Sequence, residues 1–495
     1  MSNAVVKDTF FQEMGKTALT FDDVRVATRH CSFELRNVDM RTRFSTNVPL
    51  KIPIVSAAMD TVTEQEMAIA LASLGGIGVI HRNLDMEAQS KQVRAVKLYL
   101  GAKITTPICM SEDISVEEVL KICHEKGYGF RSFPIHDNEG CLVGILTGND
   151  IEFCMNKAVR VADAMTRQVV TGHPHTEPKG ALLLMSQNKI KVLPLVDDYN
   201  KVVGMYLWSD LQRALSEKVL HNTDQYGRLR VAAAVSTSEE TMERVKLLVH
   251  RGVDVIVIDA AHADSIKVFE TFEQVKQEFP NLDVVVGNIS EPDSAKKLAE
   301  MGVDGIKVGQ GGGSICTTRV VAGIGTPQVT AIYNCVKAVR DCGKDIPVCG
   351  DGGIREPGDI TIAIAAGADS VMLGGMLAGT DEAPGEMINT PEGPMKAYRG
   401  MGSLGAMLAN EGSRGRYNET NTAKDKILPE GIEALVPYSG SLERVIHRYT
   451  EGLRRGMGYS GSASLKELQR DTMFWRVTNA GMIESRPHDV KPISR

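Results

Sequence analysis

The chain lacks a hydrophobic stretch long enough to cross a membrane. Its longest apolar run, Met67–Ile80, contains three glycines and is shorter than the about 20 residues that a transmembrane helix needs. The first residues, MSNAVVKDTFFQEMG, contain no basic region followed by an apolar core, so we expect no secretory signal. These two features predict a cytoplasmic protein.

The chain also lacks an excess of positive charge. Its 56 Lys and Arg residues against 62 Asp and Glu residues give a formal net charge of −6, so we predict neither nucleic acid nor a membrane as a partner. The nine cysteines contain no Cys-x-x-Cys pair, which indicates reduced thiols rather than a disulfide framework or a zinc site. A hydrophobic fraction of 43% and a charged fraction of 24% exclude disordered and collagen-like classes.

Short, β-branched apolar runs alternate with helix-like segments along the chain. Such runs indicate a parallel sheet covered by helices on both faces. The economical arrangement of eight strands of this kind is an α/β fold of the (β/α)8 TIM barrel type, and a doubly wound open sheet is the alternative. The eight runs are Ile52–Ala57, Gly76–His81, Arg230–Val235, Asp254–Asp259, Asp283–Asn288, Gly305–Gly309, Pro347–Asp351 and Ser370–Gly375.

A long insertion separates the second predicted strand from the third. Residues 101–216 contain two similar halves, each with a helix, a Pro-bearing strand, an acidic turn and a Gly-led strand ending in Asp. This repeat resembles a tandem pair of CBS domains, which sense adenine nucleotides. The resemblance implies that Thr147 and Asp150 hold a ribose in the first half. Asp210 matches in the second half, but Leu207 replaces the hydroxyl residue, and two packing modules that bind nothing are the alternative.

We therefore divide the chain into a barrel, residues 1–98 and 219–495, and an inserted tandem CBS module, residues 99–218. A Gly- and charge-rich segment, 398–440, follows the eighth strand. A segment this long and irregular in an enzyme is typical of an active-site lid or of a disordered region. We interpret it as a flap, followed by a helical tail.

The sharpest chemical signal is the sequence KVGQGGGSICTTRVVAGIGTPQ at Lys307–Gln328. A Gly-rich loop at the carboxyl end of a barrel strand lies where catalysis occurs in such folds. Cys316, flanked by hydroxyls and backbone donors, is a candidate nucleophile if its surroundings favour the thiolate. A buried cysteine in a turn is the alternative.

Two further glycine clusters follow the seventh and eighth strands, GDGG at Gly350–Gly353 and GGMLAG at Gly374–Gly379. Turns at these positions form the phosphate site of phosphate-binding barrels, because backbone N–H groups can reach the phosphate oxygens. Asp351, inside the first cluster, is placed to accept hydrogen bonds from a ribose diol. Glycine needed only for tight barrel packing is the alternative.

Four other segments complete a specific combination: SAAMDTVTE at Ser56–Glu64, YRGMGSLGAM at Tyr398–Met407, SRGRY at Ser413–Tyr417 and PEGIE at Pro429–Glu433. Together with GSICTTR they closely resemble the IMP dehydrogenases over essentially the whole chain. GSICTTR alone would not separate these enzymes from the sister family, the GMP reductases.

The resemblance implies a reaction in two stages. Cys316 attacks C2 of IMP while hydride passes to NAD+, and the covalent adduct is then hydrolysed to XMP, so that one hard step becomes two easier ones. Arg416, next to Tyr417 on the flap, would activate the water. Thr318 with Glu430 offers a second proton route.

The resemblance also implies the ligand contacts. The expected substrate-binding residues are Ser56, Ser314, Asp351, Gly353, Gly374, Gly375, Tyr398, Gly400, Met401, Gly402 and Glu430. The expected cofactor-binding residues are Asp259, Asn288, Gly309 and Gly311. A potassium ion would be held by Gly311, Gly313 and Cys316, with Glu484, Ser485 and Arg486 from a neighbouring subunit. This shared site implies a homotetramer, or an octamer of two tetramers, and the CBS pair would take ATP or GTP.

Several positions depart from the dehydrogenase pattern, among them Ala263 and Asp264, which replace a Gly-His pair. Gly375 replaces a phosphate-binding Ser, and the same GGMLAG wording occurs in GMP reductases. Ala260 replaces a Ser or Thr on the cofactor side, and Gly312 replaces a Pro or Ser before the cysteine. Arg416 and Tyr417 nevertheless favour the dehydrogenase, since a reductase has no adduct to hydrolyse. The alternatives are a GMP reductase and an inactive nucleotide-sensing scaffold.

Overall fold

The computed structural model describes residues 8–12, 17–101, 103–126, 128, 131–215, 220–409 and 426–490. The chain divides into two compact units, Met1–Lys97 with Leu220–Arg495, and Leu98–Val219. Within the described ranges, no helix is long and apolar enough to cross a membrane.

The first unit contains a closed barrel of eight parallel strands, which confirms the predicted (β/α)8 fold. Each strand coincides with a predicted run, and its ends differ from the prediction by two residues at most; the fifth strand extends one residue beyond its run, to Ile289. β2 pairs directly with β3, Val79 opposite Ala232, although the insertion separates them in the chain. The strands are β1 (Ile54–Ser56), β2 (Ile77–Ile80), β3 (Ala232–Val235), β4 (Val255–Asp259), β5 (Asp283–Ile289), β6 (Gly305–Val308), β7 (Val348–Asp351) and β8 (Ser370–Leu373).

Alternate residues of these strands fill the barrel. Val255 and Val257 of β4 belong to the central apolar cluster, and the intervening residues of this fully buried strand point the other way. The hairpin Thr42–Ser45 and Val48–Leu50 adds Phe44 to the same cluster. This hairpin covers the amino ends of the strands, since Thr46 N donates to Asp304 O just before β6. The opposite, carboxyl ends are therefore the ones that can carry a site.

Helices surround the barrel and bury one face each. In α6, for example, Val329, Ile332, Val336 and Val339 recur at helical spacing and are buried. The helices that follow the strands are α1 (Gln65–Ser73), α2 (Met86–Leu98), α3 (Thr241–His250), α4 (Ile266–Glu278), α5 (Pro292–Met301), α6 (Gln328–Asp341), α7 (Pro357–Ala365) and α8 (Leu442–Tyr459).

Smaller elements complete the first unit. Val24–Val26 pairs with Phe474–Arg476, and an antiparallel sheet is formed by Met387–Thr390, Gly393–Arg399 and Glu433–Pro437. Short α-helices span Thr318–Val321, Gly375–Ala378, Leu404–Ala409, Leu465–Asp471 and Asn479–Glu484, and 3-10 helices span Phe21–Asp23 and Leu35–Asn37.

The second unit consists of two similar halves, each with its own apolar core. Pro134 and Pro194 occupy matching positions in their strands. The first half contains the strands Met110–Ser111, Phe133–His136 and Leu142–Leu146 and the helices Val116–Lys126, Gly148–Phe153 and Val161–Ala164. The second contains the strands Lys103–Ile104, Val192–Val196 and Val202–Leu207 and the helices Pro178–Asn188 and Trp208–Leu215.

Candidate active site

A cavity of about 550 Å³ lies at the carboxyl ends of the barrel strands. Asp259, Asn288 and Asp351, the polar residues near the ends of β4, β5 and β7, all line it. Their clustering follows from the topology, because parallel strands of a barrel bring their carboxyl ends to one face.

A hydrogen-bonded chain links the candidate nucleophile to a carboxylate. The Sγ of Cys316 lies 3.2 Å from Oγ1 of Thr318, and that hydroxyl donates to Oε2 of Glu430 at 2.7 Å. All three residues line the cavity, and each is half-buried. The hydroxyl can pass a proton between a group bound beside Cys316 and the Glu430 carboxylate, which is the geometry of general acid–base catalysis.

Main-chain hydrogen bonds hold Glu430 in this place. Thr317 N donates to Glu430 O and Ile432 N donates to Ile315 O, both at 3.0 Å, so the PEGIE segment runs beside the cysteine loop. Glu430 N donates to Gly402 O at 3.0 Å. Hydrogen bonds between three segments of the chain therefore form one connected wall of the cavity.

The glycine turns after β7 and β8 leave space bordered by hydroxyl groups. A Cβ atom at Gly375 would lie 3.2 Å from Ser314 Oγ and 3.5 Å from the Tyr398 hydroxyl. Burial raises the pKa of Tyr398 to about 12, so its phenol remains a donor at neutral pH. Backbone N–H groups and two hydroxyls around a glycine turn suit a phosphate group.

A buried polar cluster lies at the floor of the cavity. The Nζ of Lys307 donates to Oδ1 of Asp259 at 3.0 Å and to Oδ2 of Asp351 at 2.9 Å. It also donates to Oδ1 of Asn288. Gly309 lets the backbone after β6 pass close to the end of β7, since it has a φ of +147° and a Cβ there would lie 2.0 Å from the backbone oxygen of Asp351.

Arg319 organises the loop that carries the cysteine. Its Nε donates to Gln310 O at 3.1 Å, and its Nη2 donates to Thr326 O at 2.8 Å. Burial lowers the pKa of Arg319, and the nearby Cys316 opposes that shift. Gly311 has a φ of +70°, and a Cβ there would lie 2.4 Å from Arg319 Cγ, so the tight loop requires glycine.

An ion pair ties the loop after β1 to the segment that precedes Gly400. Arg399 Nε lies 3.1 Å from both carboxylate oxygens of Asp60, and Nη2 lies 2.6 Å from Oδ2. The Asp60 side chain is 7% exposed and also accepts from Asn83 Nδ2. The position of Gly400–Gly402, the expected base-binding turn, therefore depends on this pair.

The cavity brings together most of the residues predicted from the sequence. They are Asp259, Asn288, Gly309, Gly311, Gly313, Ser314, Cys316, Thr318, Asp351, Gly353, Gly374, Gly375, Tyr398, Gly400, Met401, Gly402 and Glu430. Ser56 is placed elsewhere: it is fully buried and accepts from Thr63 Oγ1 at 2.8 Å. Arg416 and Tyr417 lie outside the described residues.

Two other predicted sets lie outside the cavity. Glu484, Ser485 and Arg486 are exposed at the end of the helix Asn479–Glu484. In the insert, Thr147 and Asp150 form a capping box, in which the Thr147 hydroxyl donates to Asp150 Oδ2 at 2.7 Å. Asp210 lies in the first turn of Trp208–Leu215.

Sequence reasoning missed Lys307, the Asp60–Arg399 pair and the role of Arg319. The sequence does contain a signal for Lys307, which is a lysine inside the apolar run GIKVG. A charged residue in a fully buried strand requires a partner of opposite charge. The sequence does not indicate which residues pair with these side chains, since the partners come from other strands and loops.

The closed barrel, with a cavity at the carboxyl ends of its strands, defines the class of protein as a (β/α)8-barrel enzyme. The family model for the IMP dehydrogenase / GMP reductase domain matches residues 18–488. The chain is 46% identical to inosine-5'-monophosphate dehydrogenase of Aquifex aeolicus over 96% of both chains, and 43% identical to that of Bacillus subtilis over 97% of both. The chain therefore belongs to the IMP dehydrogenase / GMP reductase family.

A solved structure of this family has the same overall architecture. A Cys-to-Ala variant of GMP reductase from Trypanosoma brucei, in complex with guanosine 5'-monophosphate, matches with a TM-score of 0.86 and 36% identity. The match covers 97% of this chain and 99% of that one.

Proposed function

We propose that the protein oxidises IMP to XMP with NAD+ as the hydride acceptor. The observation that carries this proposal is the chain of contacts from Cys316 through Thr318 to Glu430. This chain lies in a cavity that also contains a glycine turn suited to a phosphate group. Relatives named as inosine-5'-monophosphate dehydrogenase, 41–46% identical over nearly the whole chain, support the same reaction.

In the first stage, the Cys316 thiolate adds to C2 of IMP. A C–S bond forms, hydride leaves C2 for bound NAD+, and a covalent purine adduct remains on the enzyme. The Ser314 and Tyr398 hydroxyls and the glycine turns hold the 5'-phosphate, and Asp351 accepts from the ribose. These contacts keep C2 next to Cys316, which replaces an encounter in solution by an oriented reaction.

In the second stage, water attacks C2 and the C–S bond breaks. Arg416, with Tyr417 beside it, takes the water proton, and Cys316 leaves as the thiolate. The Thr318 hydroxyl with Glu430 provides the second route for this proton. The overall reaction is balanced in atoms and charge: IMP, water and NAD+ give XMP, reduced cofactor and one proton.

The cofactor and cation subsites follow from the same loops. Asp259, Asn288, Gly309 and Gly311 would hold NAD+. Gly311 and Gly313 have no side chains to cover their carbonyl oxygens, and backbone carbonyls suit potassium. Glu484, Ser485 and Arg486 of a neighbouring copy would complete the cation site, so the active assembly would be a homotetramer or an octamer of two tetramers.

The insert would regulate the barrel by binding ATP or GTP. Its two similar halves support this proposal, and Thr147, Asp150 and Asp210 are the residues for a ribose contact. Because Thr147 and Asp150 already hydrogen-bond each other, nucleotide binding would exchange this capping contact for contacts to the ligand. Calorimetric titration of each nucleotide into wild type and Thr147→Val tests this.

Absorbance of the reduced nicotinamide tests the reaction. With IMP and NAD+ in potassium buffer the absorbance should rise, and Cys316→Ala should abolish the rise. Arg416→Ala should give a first burst of reduced cofactor and then a slow steady state through the Thr318–Glu430 route, with the accumulated adduct visible by mass spectrometry. The absence of any rise in wild type would overturn the proposal.

GMP reductase activity is the second candidate. The specific observation is the structural match to a GMP reductase, and the GGMLAG sequence at Gly374–Gly379, which resembles that of GMP reductases, agrees with it. Oxidation of NADPH in the presence of GMP, with the same Cys316→Ala control, would establish this activity. It would also show that the glycine turn is more informative than the flap.

A further inference from the structure

Lys307 is a buried cation to which the two-stage reaction gives no role. Only 2% of its side chain is exposed. Burying an ammonium group is costly unless its donors are all satisfied, and the group has three donors. Lys307 has three acceptors, the carboxylates of Asp259 and Asp351 and the amide oxygen of Asn288.

These acceptors come from three different strands, so Lys307 crosses the floor of the cavity from β6. Asn288 is fixed by the same cluster, because its Nδ2 donates to Gly309 O at 2.6 Å and to Asp351 Oδ2 at 2.8 Å. Two donors therefore converge on Oδ2 of Asp351. This arrangement orients the carboxylate and leaves Oδ1 as the oxygen that can take a ribose hydroxyl.

We propose that Lys307 is a positioning residue that joins the two ribose-binding carboxylates, Asp351 on the nucleotide side and Asp259 on the cofactor side, and thereby couples the two subsites. This inference rests on the proposed function, which assigns a ribose to each carboxylate. A shift of the ammonium group at one carboxylate changes the orientation of the other, so the coupling needs no movement of the backbone.

The first test is steady-state kinetics of Lys307→Met, which keeps the length of the side chain and removes its charge. We expect KM for IMP and KM for NAD+ both to rise by about 10-fold, with a much smaller change in kcat, because the lost contacts position ligands and do not touch Cys316. Ile306→Val, a mild change in the same strand, is the matched control and should leave both KM values unchanged. A fall in kcat with unchanged KM values would overturn the proposal.

Lys307→Met leaves two buried carboxylates without their cation, so it risks unfolding. A second variant avoids this risk. Asp259→Ala removes one acceptor on the cofactor side only, and calorimetry with IMP alone should show an affinity about 5-fold weaker than wild type, since coupled neighbours are not independent. An IMP affinity unchanged by Asp259→Ala would overturn the coupling.

Calorimetry of wild type with IMP and with GMP separates this inference from the proposed function. If IMP binds and its affinity is insensitive to Asp259→Ala, the coupling is wrong and the proposed function stands. If GMP binds in place of IMP and responds to Asp259→Ala, the coupling stands and the reaction is reassigned. If neither nucleotide binds, both proposals are overturned.

Discussion

At the scale of single residues, the Thr318 hydroxyl is the group that connects Cys316 to Glu430. Thr318→Val keeps the shape of the side chain and removes the link between Cys316 and Glu430. In an Arg416→Ala background, which leaves Thr318 and Glu430 as the remaining route for the water proton, we expect kcat to fall by about a further 100-fold, the lower range for general acid–base catalysis. Stopped-flow absorbance with IMP and NAD+ measures the first burst and the steady state separately, and only the steady state should slow.

Thr317→Val is the matched control, because it is the adjacent residue and its side chain is outside this chain of contacts. Glu430→Gln should cause a similar loss. The variant with both Thr318→Val and Glu430→Gln should be no slower than either alone, since the two residues act as one unit. Fully additive losses would show that they do not share a proton route.

The Tyr398 hydroxyl carries the second prediction at this scale. Tyr398→Phe should raise KM for the nucleotide by about 10-fold, the effect of losing roughly 1.4 kcal/mol of hydrogen bonding to a charged group. Tyr438→Phe removes a hydroxyl that donates to Asp381 at the surface and should leave KM unchanged. Equal effects of the two variants would exclude a phosphate contact for Tyr398.

The raised pKa of Tyr398 also predicts how the free energy of unfolding changes with pH. A free tyrosine loses its proton near pH 10, whereas burial keeps Tyr398 protonated to about pH 12. Between these values the unfolded chain releases a proton that the folded chain retains, so this residue lowers the free energy of unfolding as pH rises. Denaturant titrations from pH 9 to pH 11 should show a smaller decline in Tyr398→Phe than in wild type.

At the scale of elements, the Asp60–Arg399 pair joins the loop after β1 to the strand that leads into Gly400. Asp60→Ala leaves a half-buried guanidinium without its carboxylate, so we expect the free energy of unfolding to fall by about 1–3 kcal/mol. KM for the nucleotide should rise, because the base-binding turn loses its anchor. Glu34→Ala, which breaks the exposed pair with Arg36, should cost less than about 1 kcal/mol and leave KM unchanged.

The same scale shows what the sequence can and cannot predict. Apolar runs identify all eight barrel strands, because continuous burial leaves a pattern that is local in sequence. Ser56 shows what a motif leaves open, since its fully buried side chain lies next to Gly78 of β2, and the substrate contact expected of it stays a prediction. The partners of Lys307 are separated from it by 48, 19 and 44 positions in the sequence. A local sequence pattern cannot predict contacts between residues so far apart in the chain.

At the scale of the whole molecule, the catalytic cavity belongs to one unit. Among the residues that the structure describes, all those that line it lie outside Leu98–Val219. Lys97 and Asp224, which flank the insertion in sequence, are hydrogen-bonded at 3.0 Å, and Lys97 also reaches Asp254 at 2.6 Å. The two chain segments that leave and re-enter the barrel are therefore held together by residues of the barrel itself.

This arrangement predicts that the barrel does not need the insert for catalysis. Replacing residues 98–219 by a short Gly-Ser linker should preserve folding, because the barrel core has no member in that range and the Lys97–Asp224 contact closes the gap. We expect kcat to stay within about 3-fold of the full chain when IMP and NAD+ are compared in the absorbance assay. Any response of the full chain to ATP or GTP should disappear in the shortened chain. Loss of catalysis in a shortened chain that still unfolds cooperatively would show that the insert supports the active site directly, because the barrel would then be folded but unable to turn over.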